Sequence, residues 1–449
     1  MSAQPLTLHP SPASVIAHGP EGPVTAARYL GDVARLASLL PRGRHIFNVC
    51  QDRYRFMVGL GAALVRGKTS LLPASRTAST VAELQAFAPD VYYLTDGPAV
   101  PGTLQRVDYP VDAAPAAGVW PPPEIPAEQE AVCLFTSGST GKPVPQRKSW
   151  GALVRNGLAE ARRLQLPEIS CAIVATVPAQ HSYGLESSVL LALLGGCAVY
   201  GGHPFYPLDI AQALNSVPAP RMLVTTPFHL RTLLDAEVTI PPLHMVLSAT
   251  APLSPELAAR AESRLQTPVM EIYGCTESGQ LASRRTTAGR AWQLLENVRL
   301  EREGDVHYAC GGHVEGRIPL ADVIEMTGPE TFLLHGRTAD LVNIAGKRTS
   351  LAFLNHQLLT LPGVTDGCFF MPAELDAGGG VTRLAAFAVA PGLGTRELLA
   401  RLRERVDPIF LPRPLVLLEA MPRNSTGKLP RETLEGLLTR HPRTRREDT

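Results

Sequence analysis

The sequence predicts an α/β protein. A large N-terminal domain, residues 1–336, holds mostly parallel sheets with packed helices, and a small α+β domain follows over residues 337–449. Three observations predict this. At 449 residues the chain is too long for one ordinary core, so a large unit plus a smaller one is expected. Short apolar runs alternate with helical patterns over most of the length, the pattern of a parallel sheet with helices on its faces. Past about residue 336 the order changes to helices and strands of an α+β kind.

Taken in order, Ile46–Cys50 and Thr69–Leu72 read as strands, with an apolar helix near Phe56–Val65 between them. Ala131–Phe135 reads as a buried strand that enters the hydroxyl- and glycine-rich stretch Thr136-Ser137-Gly138-Ser139-Thr140-Gly141-Lys142-Pro143. Trp150, Leu153, Val154, Leu158 and Leu164 recur at helical spacing, and Pro167 ends that segment. The glycine-rich loop is therefore expected to run from a strand toward a helix start, where anions bind. Strands follow at Cys171–Val177, Met222–Thr226, Met245–Ala249 and Val269–Tyr273, with helices such as Leu208–Leu214 and Pro255–Leu265 between them. In the C-terminal part, helices Ala352–Leu361 and Thr395–Val406 alternate with strands Gly367–Met371, Arg383–Ala390 and Leu415–Leu418. Ala377–Gly380 reads as a hairpin or flexible loop, and Arg440–Thr449 as a disordered, solvated end.

Composition narrows the function. Apolar residues make up 45% and charged residues 18%, the balance of a soluble globular enzyme. The net charge of +1 gives no electrostatic case for nucleic acid or a membrane surface. The seven cysteines form no C-x-x-C pair and read as reduced, mostly buried thiols without structural zinc. No signal peptide or membrane span is visible, so a cytoplasmic location is expected.

The loop at 136–143 has what phosphates require: glycines that let the backbone approach, exposed amides and several hydroxyls. It is not a Walker A loop, because only two residues separate Gly138 from Gly141 and Pro143 follows Lys142. A second segment, Tyr273-Gly274-Cys275-Thr276-Glu277, closes an apolar strand, and open α/β sheets bind ligands at such ends. A third set is Asp322, Gly336-Arg337 and Gly346-Lys347-Arg348. A fourth is Asn424-Ser425-Thr426-Gly427-Lys428-Leu429-Pro430-Arg431, which leads into a helix. Pro178-Ala179-Gln180-His181-Ser182-Tyr183-Gly184 and Ser248-Ala249-Thr250-Ala251-Pro252-Leu253 fill the middle. Read singly, each has an ordinary structural explanation: a surface turn, a satisfied core histidine, an exposed ion pair or a solvated lysine.

Read together and in order, these segments resemble the signatures of the adenylate-forming superfamily, over roughly residues 20 to 435. The resemblance implies a small C-terminal domain that moves about a hinge at 337–340. It implies ATP and Mg²⁺ as cofactors and no covalent enzyme intermediate. The loop residues Thr136, Ser137, Gly138, Ser139, Thr140, Gly141 and Lys142 would hold the phosphates. Tyr273 and Gly274 would lie against adenine, Thr276 would bond the α-phosphate, and Glu277 would hold Mg²⁺. Asp322 would take the ribose hydroxyls, with Arg337 and Arg348 nearby. Lys428 would be the catalytic lysine. His181, Tyr183, Gly184, Ser248, Ala249 and Thr250 would line the acyl pocket, with His181 also gating the thiol channel. Ala339 stands where the family usually has Asp or Lys, and Asp340 follows, so either marks the hinge. Val144 stands where a lysine is common, which leaves Lys142 and Lys148 as candidates for the β- and γ-phosphates.

The implied reaction joins a carboxylic acid to AMP, releases pyrophosphate, and passes the acyl group to CoA or to the phosphopantetheine of an acyl carrier protein. The segments at 180–184 and 248 are similar to those of bacterial ligases of aryl-polyene and xanthomonadin pigment biosynthesis, which act on 4-hydroxybenzoate and related acids. Three other readings stay open at this point: a fatty acyl ligase, an ADP-forming kinase or ATPase, and an inactive nucleotide-binding homologue.

Overall fold

The computed structural model describes residues 2–73, 75–110, 120–137, 143–337, 341–344, 347–372, 383–424 and 429–440. Its chain divides into two compact units, Met1–Leu320 with Gly328–Thr331, and Ala321–Thr327 with Phe332–Thr449.

The first unit opens with β1 (Ala3–Pro5), β2 (Val15–Gly19), β3 (Gly22–Thr25), α1 (Ala26–Leu39), β4 (His45–Asn48), α2 (Arg53–Val65) and β5 (Thr69–Leu72). Next come α3 (Ala78–Phe87), β6 (Tyr92–Thr95), β7 (Gln105–Asp108), β8 (Glu124–Pro126), β9 (Glu130–Ser137), β10 (Pro143–Ser149) and α4 (Trp150–Arg163). The central stretch holds β11 (Ala172–Ala175), the short α5 (Ser182–Gly184), a π-helical segment Leu185–Leu190, α6 (Leu191–Leu194) and β12 (Ala198–Tyr200). It continues through α7 (Pro207–Ser216), β13 (Arg221–Thr225), α8 (Pro227–Asp235), β14 (Met245–Ser248), α9 (Pro255–Leu265), β15 (Val269–Cys275), β16 (Gly279–Arg285) and β17 (Trp292–Leu294). A meander of β18 (Val298–Glu303), β19 (Val306–Gly311) and β20 (Arg317–Leu320) follows.

Two large sheets result. One has the order β10-β9-β5-β4-β6-β7, parallel except for β10. The other runs β17-β16-β15-β14-β13-β11-β12-β2-β3 in this unit, parallel from β15 to β2 and antiparallel at β16, β17 and β3. Parallel strands are covered on both faces, so they read as continuous apolar runs. All residues of β6, β11 and β14 are buried. Side chains of Thr25, Asp52, Ser149, Thr226 and Ser254 cap helices α1, α2, α4, α8 and α9. Proline stands in the first turn of α7, α8 and α9, where its missing N–H costs nothing.

The glycine-rich loop sits differently from the expected strand-to-helix turn. It joins β9 to the antiparallel β10, and α4 begins only after β10. The alternation Pro143-Val144-Pro145-Gln146-Arg147 hid this strand. β10 is the edge of its sheet, where proline and exposed side chains are tolerated. Residues 138–142 themselves lie outside the described residues.

The second unit contains the hairpin β21 (Asp322–Met326) and β22 (Thr331–Arg337), then β23 (Leu341–Ile344), β24 (Lys347–Ser350), α10 (Leu351–Leu359), β25 (Asp366–Phe370), β26 (Ala385–Val389), α11 (Thr395–Arg403), β27 (Leu415–Leu417) and α12 (Arg431–Arg440). Strands β25, β26 and β27 form a mixed sheet under α10 and α11, with Leu354, Leu358, Phe369, Ala386, Leu398 and Leu402 in its core. Leu434 of α12 packs with Cys368, Phe370 and Phe387. The compact unit begins at Ala321, upstream of residue 337, because the hairpin goes with it. The stretch at 377–380, most of the tail at 440–449, and Ala339 and Asp340 fall outside the described residues.

All seven cysteines are free thiols, six of them buried. Among the described residues there is no cluster of His, Cys, Asp and Glu suited to a metal, and no helix is long and apolar enough to cross a membrane.

Candidate active site

Of the predicted residues, His181–Gly184, Ser248–Thr250 and Tyr273–Glu277 follow or close β11, β14 and β15, which with β13 lie side by side as parallel strands of one sheet, whereas Thr136, Ser137 and Lys148 belong to β9 and β10 of the other sheet. Thr176, just past β11, meets Thr225 of β13 through their hydroxyls at 3.0 Å. Thr225 and Ser248 are register partners, as are Ser248 and Glu271. Ser248 is fully buried, and its Oγ has no hydrogen-bond partner among the described residues. The loop after it turns sharply, with Thr250 at φ 77°, and Ala249 is buried. Glu271 fixes that loop. It accepts from the Leu253 amide at 2.9 Å and from the Thr286 hydroxyl at 3.0 Å, and it pairs with Arg284 at 2.7 Å. Burial raises the Glu271 pKa, while Arg284 and these hydrogen bonds oppose the shift. Sequence reading missed Glu271, although an acid inside an apolar strand was a signal for a buried partner.

His181 precedes α5, and its Nδ1 accepts the Tyr183 amide at 3.3 Å, so the ring is held as a helix cap. Tyr183 is buried and its hydroxyl donates to the Leu247 carbonyl at 2.9 Å, which joins this segment to β14. Gly184 admits no side chain, because a Cβ there would stand 1.9 Å from the Pro178 carbonyl oxygen. The chain then winds as a π-helix, a form that often marks functional sites. Arg53 supports it from α2. Its buried guanidinium donates to the Ser188 hydroxyl at 2.8 Å and to the carbonyls of Ala175 and Val177 at 3.1 and 2.6 Å. Burial lowers the pKa of this arginine to about 10. Arg53 lay in an apolar helix and carried no motif, so the sequence offered no pointer to it.

At the end of β15 the backbone closes tightly. A Cβ on Gly274 would stand 2.3 Å from the Gly279 carbonyl, and Gly279 takes φ +77°. Tyr273 lies against Trp292, with ring centroids 5.6 Å apart, and Arg284 covers the Trp292 ring at 4.4 Å. Thr276 and Glu277 occupy the following turn and are half-buried. Lys148 reaches this turn from β10 and donates to the Glu277 carbonyl. It is only 7% exposed, and burial lowers its ammonium pKa against the pull of Glu186 and Glu315. Its charge is therefore committed inside the protein. Val144, by contrast, is 43% exposed.

In the second unit Asp322 and Arg337 are register partners across the β21–β22 hairpin. Arg348 lies on β24, opposite Asn343. Arg423 pairs with Asp366 through two hydrogen bonds at 2.7 and 2.5 Å, and α12 begins at Arg431. Lys428, Gly138, Ser139, Thr140, Gly141 and Lys142 lie outside the described residues, and the side chains of Ser137, Arg337 and Arg348 are not described.

Comparison with known proteins identifies the family. The AMP-binding enzyme family matches residues 41–311. A 4-coumarate–CoA ligase of Rhodobacter capsulatus is 32% identical over 282 residues, which covers 63% of this chain and 69% of that protein. A 3,4-dihydroxybenzoate–[aryl-carrier protein] ligase of Bacillus anthracis is 21% identical over 329 residues, covering 69% of this chain and 74% of the other. In fold, the o-succinylbenzoate CoA synthetase of Bacillus subtilis, solved with its acyl-adenylate intermediate, matches 97% of this chain and 99% of its own. The TM-score is 0.80 and the identity 19%. The chain belongs to the AMP-binding enzyme family. Within it, the chain is an AMP-forming acid–thiol ligase, which activates a carboxylic acid with ATP before transfer to a thiol.

Proposed function

We propose that the acid is aromatic, 4-hydroxybenzoate or a close relative, and that the acceptor is a phosphopantetheine thiol, with a carrier protein preferred over free CoA. The observation that carries the aromatic reading is the closed packing at the acyl segment. Tyr183 is buried and tethered, and Gly184 is sealed against Pro178. That packing favours a short flat acid over the long chain of a fatty acyl ligase. The names of the 4-coumarate and dihydroxybenzoate ligases support the same class.

A carboxylate is a poor nucleophile beside a polyanion, so the task of the chain is to neutralise charge and to align in-line attack. The loop amides and the hydroxyls of Thr136, Ser137, Ser139 and Thr140 cradle the phosphates, and Thr276 bonds the α-phosphate. Lys148 is tied to Glu277, so Lys142 is the loop cation for the β- and γ-phosphates. Glu277 fits Mg²⁺, because that ion takes one or two carboxylates together with phosphate oxygens and water. When bound there, Mg²⁺ supplies charge neutralisation at the phosphates. Tyr273, backed by Trp292, receives the adenine face. Asp322 binds the ribose, with Arg337 and Arg348 beside the phosphates. Lys428 orients the substrate carboxylate. His181 and the Ser248–Thr250 loop bound the acyl group. The small domain, residues 337–449, then moves about Ala339 and Asp340 to admit the thiol.

A pyrophosphate-exchange screen over benzoates, cinnamates and fatty acids tests the proposal. Exchange is expected with hydroxybenzoates, with AMP as the nucleotide product. Exchange confined to fatty acids would overturn the aromatic reading. Comparing CoA with a carrier protein in the second step decides the acceptor.

A further inference from the structure

Two cations of β10 have described contacts: Arg147 is exposed and pairs with Glu130, whereas Lys148 is buried. Its ammonium enters a polar chamber beneath the 275–279 turn. Lys148, Asn156, Glu186, Ser278, Gly279 and His313 line a cavity of about 10 Å³ there. That volume is far too small for a ligand, so these groups act as support for the turn and not as a binding site of their own. The chamber is shared by several elements: β10 supplies Lys148, α4 supplies Asn156, and the π-helical segment supplies Glu186. The Ser182 hydroxyl donates to Glu186 at 3.0 Å, and the Ser149 amide donates to Glu315 at 3.2 Å.

We propose that Lys148 is a positioning residue that acts through Glu277. By holding the Glu277 carbonyl it fixes the turn that presents Thr276 and the Glu277 carboxylate, and it ties that turn to the hairpin bearing the phosphate loop. Strand β10 and the 275–279 turn are thereby joined before nucleotide arrives. This inference rests on the proposed role of Glu277 and would lose its meaning without it. Buried support of this kind behaves like the outer contacts of metal ligands, whose loss typically costs about 10- to 100-fold in metal affinity.

The test compares wild type with Lys148→Met and with the double variant Lys148→Met/Glu186→Gln, which leaves no lone buried carboxylate. Mg²⁺ is titrated calorimetrically into each protein with a non-hydrolysable ATP analogue, and pyrophosphate exchange is followed in parallel. Both variants are expected to bind Mg²⁺ about tenfold or more weakly. Added Mg²⁺ is expected to restore their exchange rate, whereas Glu277→Ala stays slow. Unchanged Mg²⁺ affinity in a folded variant overturns the proposal. Failure of both variants to fold also overturns it, because Lys148 would then be a strut of the core. If wild type itself shows no Mg²⁺-dependent exchange with any acid, the reading of Glu277 fails instead, a distinct outcome.

Discussion

Lys428 illustrates what one residue carries when its neighbours are known. In sequence it follows Gly427 and stands between Arg423, which pairs with Asp366, and the start of α12 at Arg431. Lys428→Ala is expected to lower adenylate formation by about 10²–10³-fold, the scale for removing one electrostatic contact to a transition state. If Lys428 serves only the first half-reaction, a supplied acyl adenylate should still be converted to thioester. Separate assays of the two half-reactions check this, and adenylation at the wild-type rate would remove Lys428 from the mechanism. The sequence offered candidates for this site because the chemistry demands particular groups: a lysine, an acid at a strand end, hydroxyls beside glycines. The supports were not among them. Arg53 and Glu271 act through packing partners that are distant in sequence, Ser188 and Arg284, and no spacing rule joins them.

Secondary structure was read well where burial dictates it. The fully buried β11 and β14 showed as apolar runs, and α9 ran over the residues its pattern marked. Reading failed at β10, an exposed edge strand rich in proline, where burial leaves no pattern in the residues. A different feature belongs to the contact of α4 with the π-helical segment. Glu160 of α4 is completely buried and accepts from the Ser187 hydroxyl at 2.6 Å. Burial is the main cause that raises its pKa to about 8, and Glu186 nearby is raised to about 7. A carboxyl with a raised folded value holds its proton while the unfolded chain, near 4.5, has released its own. The unfolded state therefore binds fewer protons between these values, so stability is greatest below about pH 4.5 for this group and falls as pH rises to about 8. Glu160→Gln is expected to flatten that decline and to leave the protein more resistant to urea at about pH 8 than wild type. Urea midpoints across this range measure it. A wild-type profile that rises toward pH 8 in parallel with the variant would refute the protonated assignment.

At the scale of the whole molecule the proposal is that the small domain turns about a hinge. The sequence pointed to residues 337–340, whereas the compact unit begins at Ala321 and includes the β21–β22 hairpin. The difference has a physical source. A change in the style of secondary structure marks where new elements begin, while compactness follows which strands pair. Asp322 and Arg337 pair within one hairpin and so belong together. The hinge proposal can be separated from this boundary by stiffening one residue. Proline at position 339 fixes φ near −65° and restricts the residue before it. If the pivot lies there, Ala339→Pro should leave pyrophosphate exchange nearly unchanged and slow thioester formation by about tenfold or more, since only the second half-reaction needs the rotation. Single-turnover measurement of each half-reaction distinguishes the cases. Equal loss in both would mean that the substitution damages the site itself. No loss in either would move the pivot away from 339, to the base of the hairpin at Ala321, where the same substitution strategy applies.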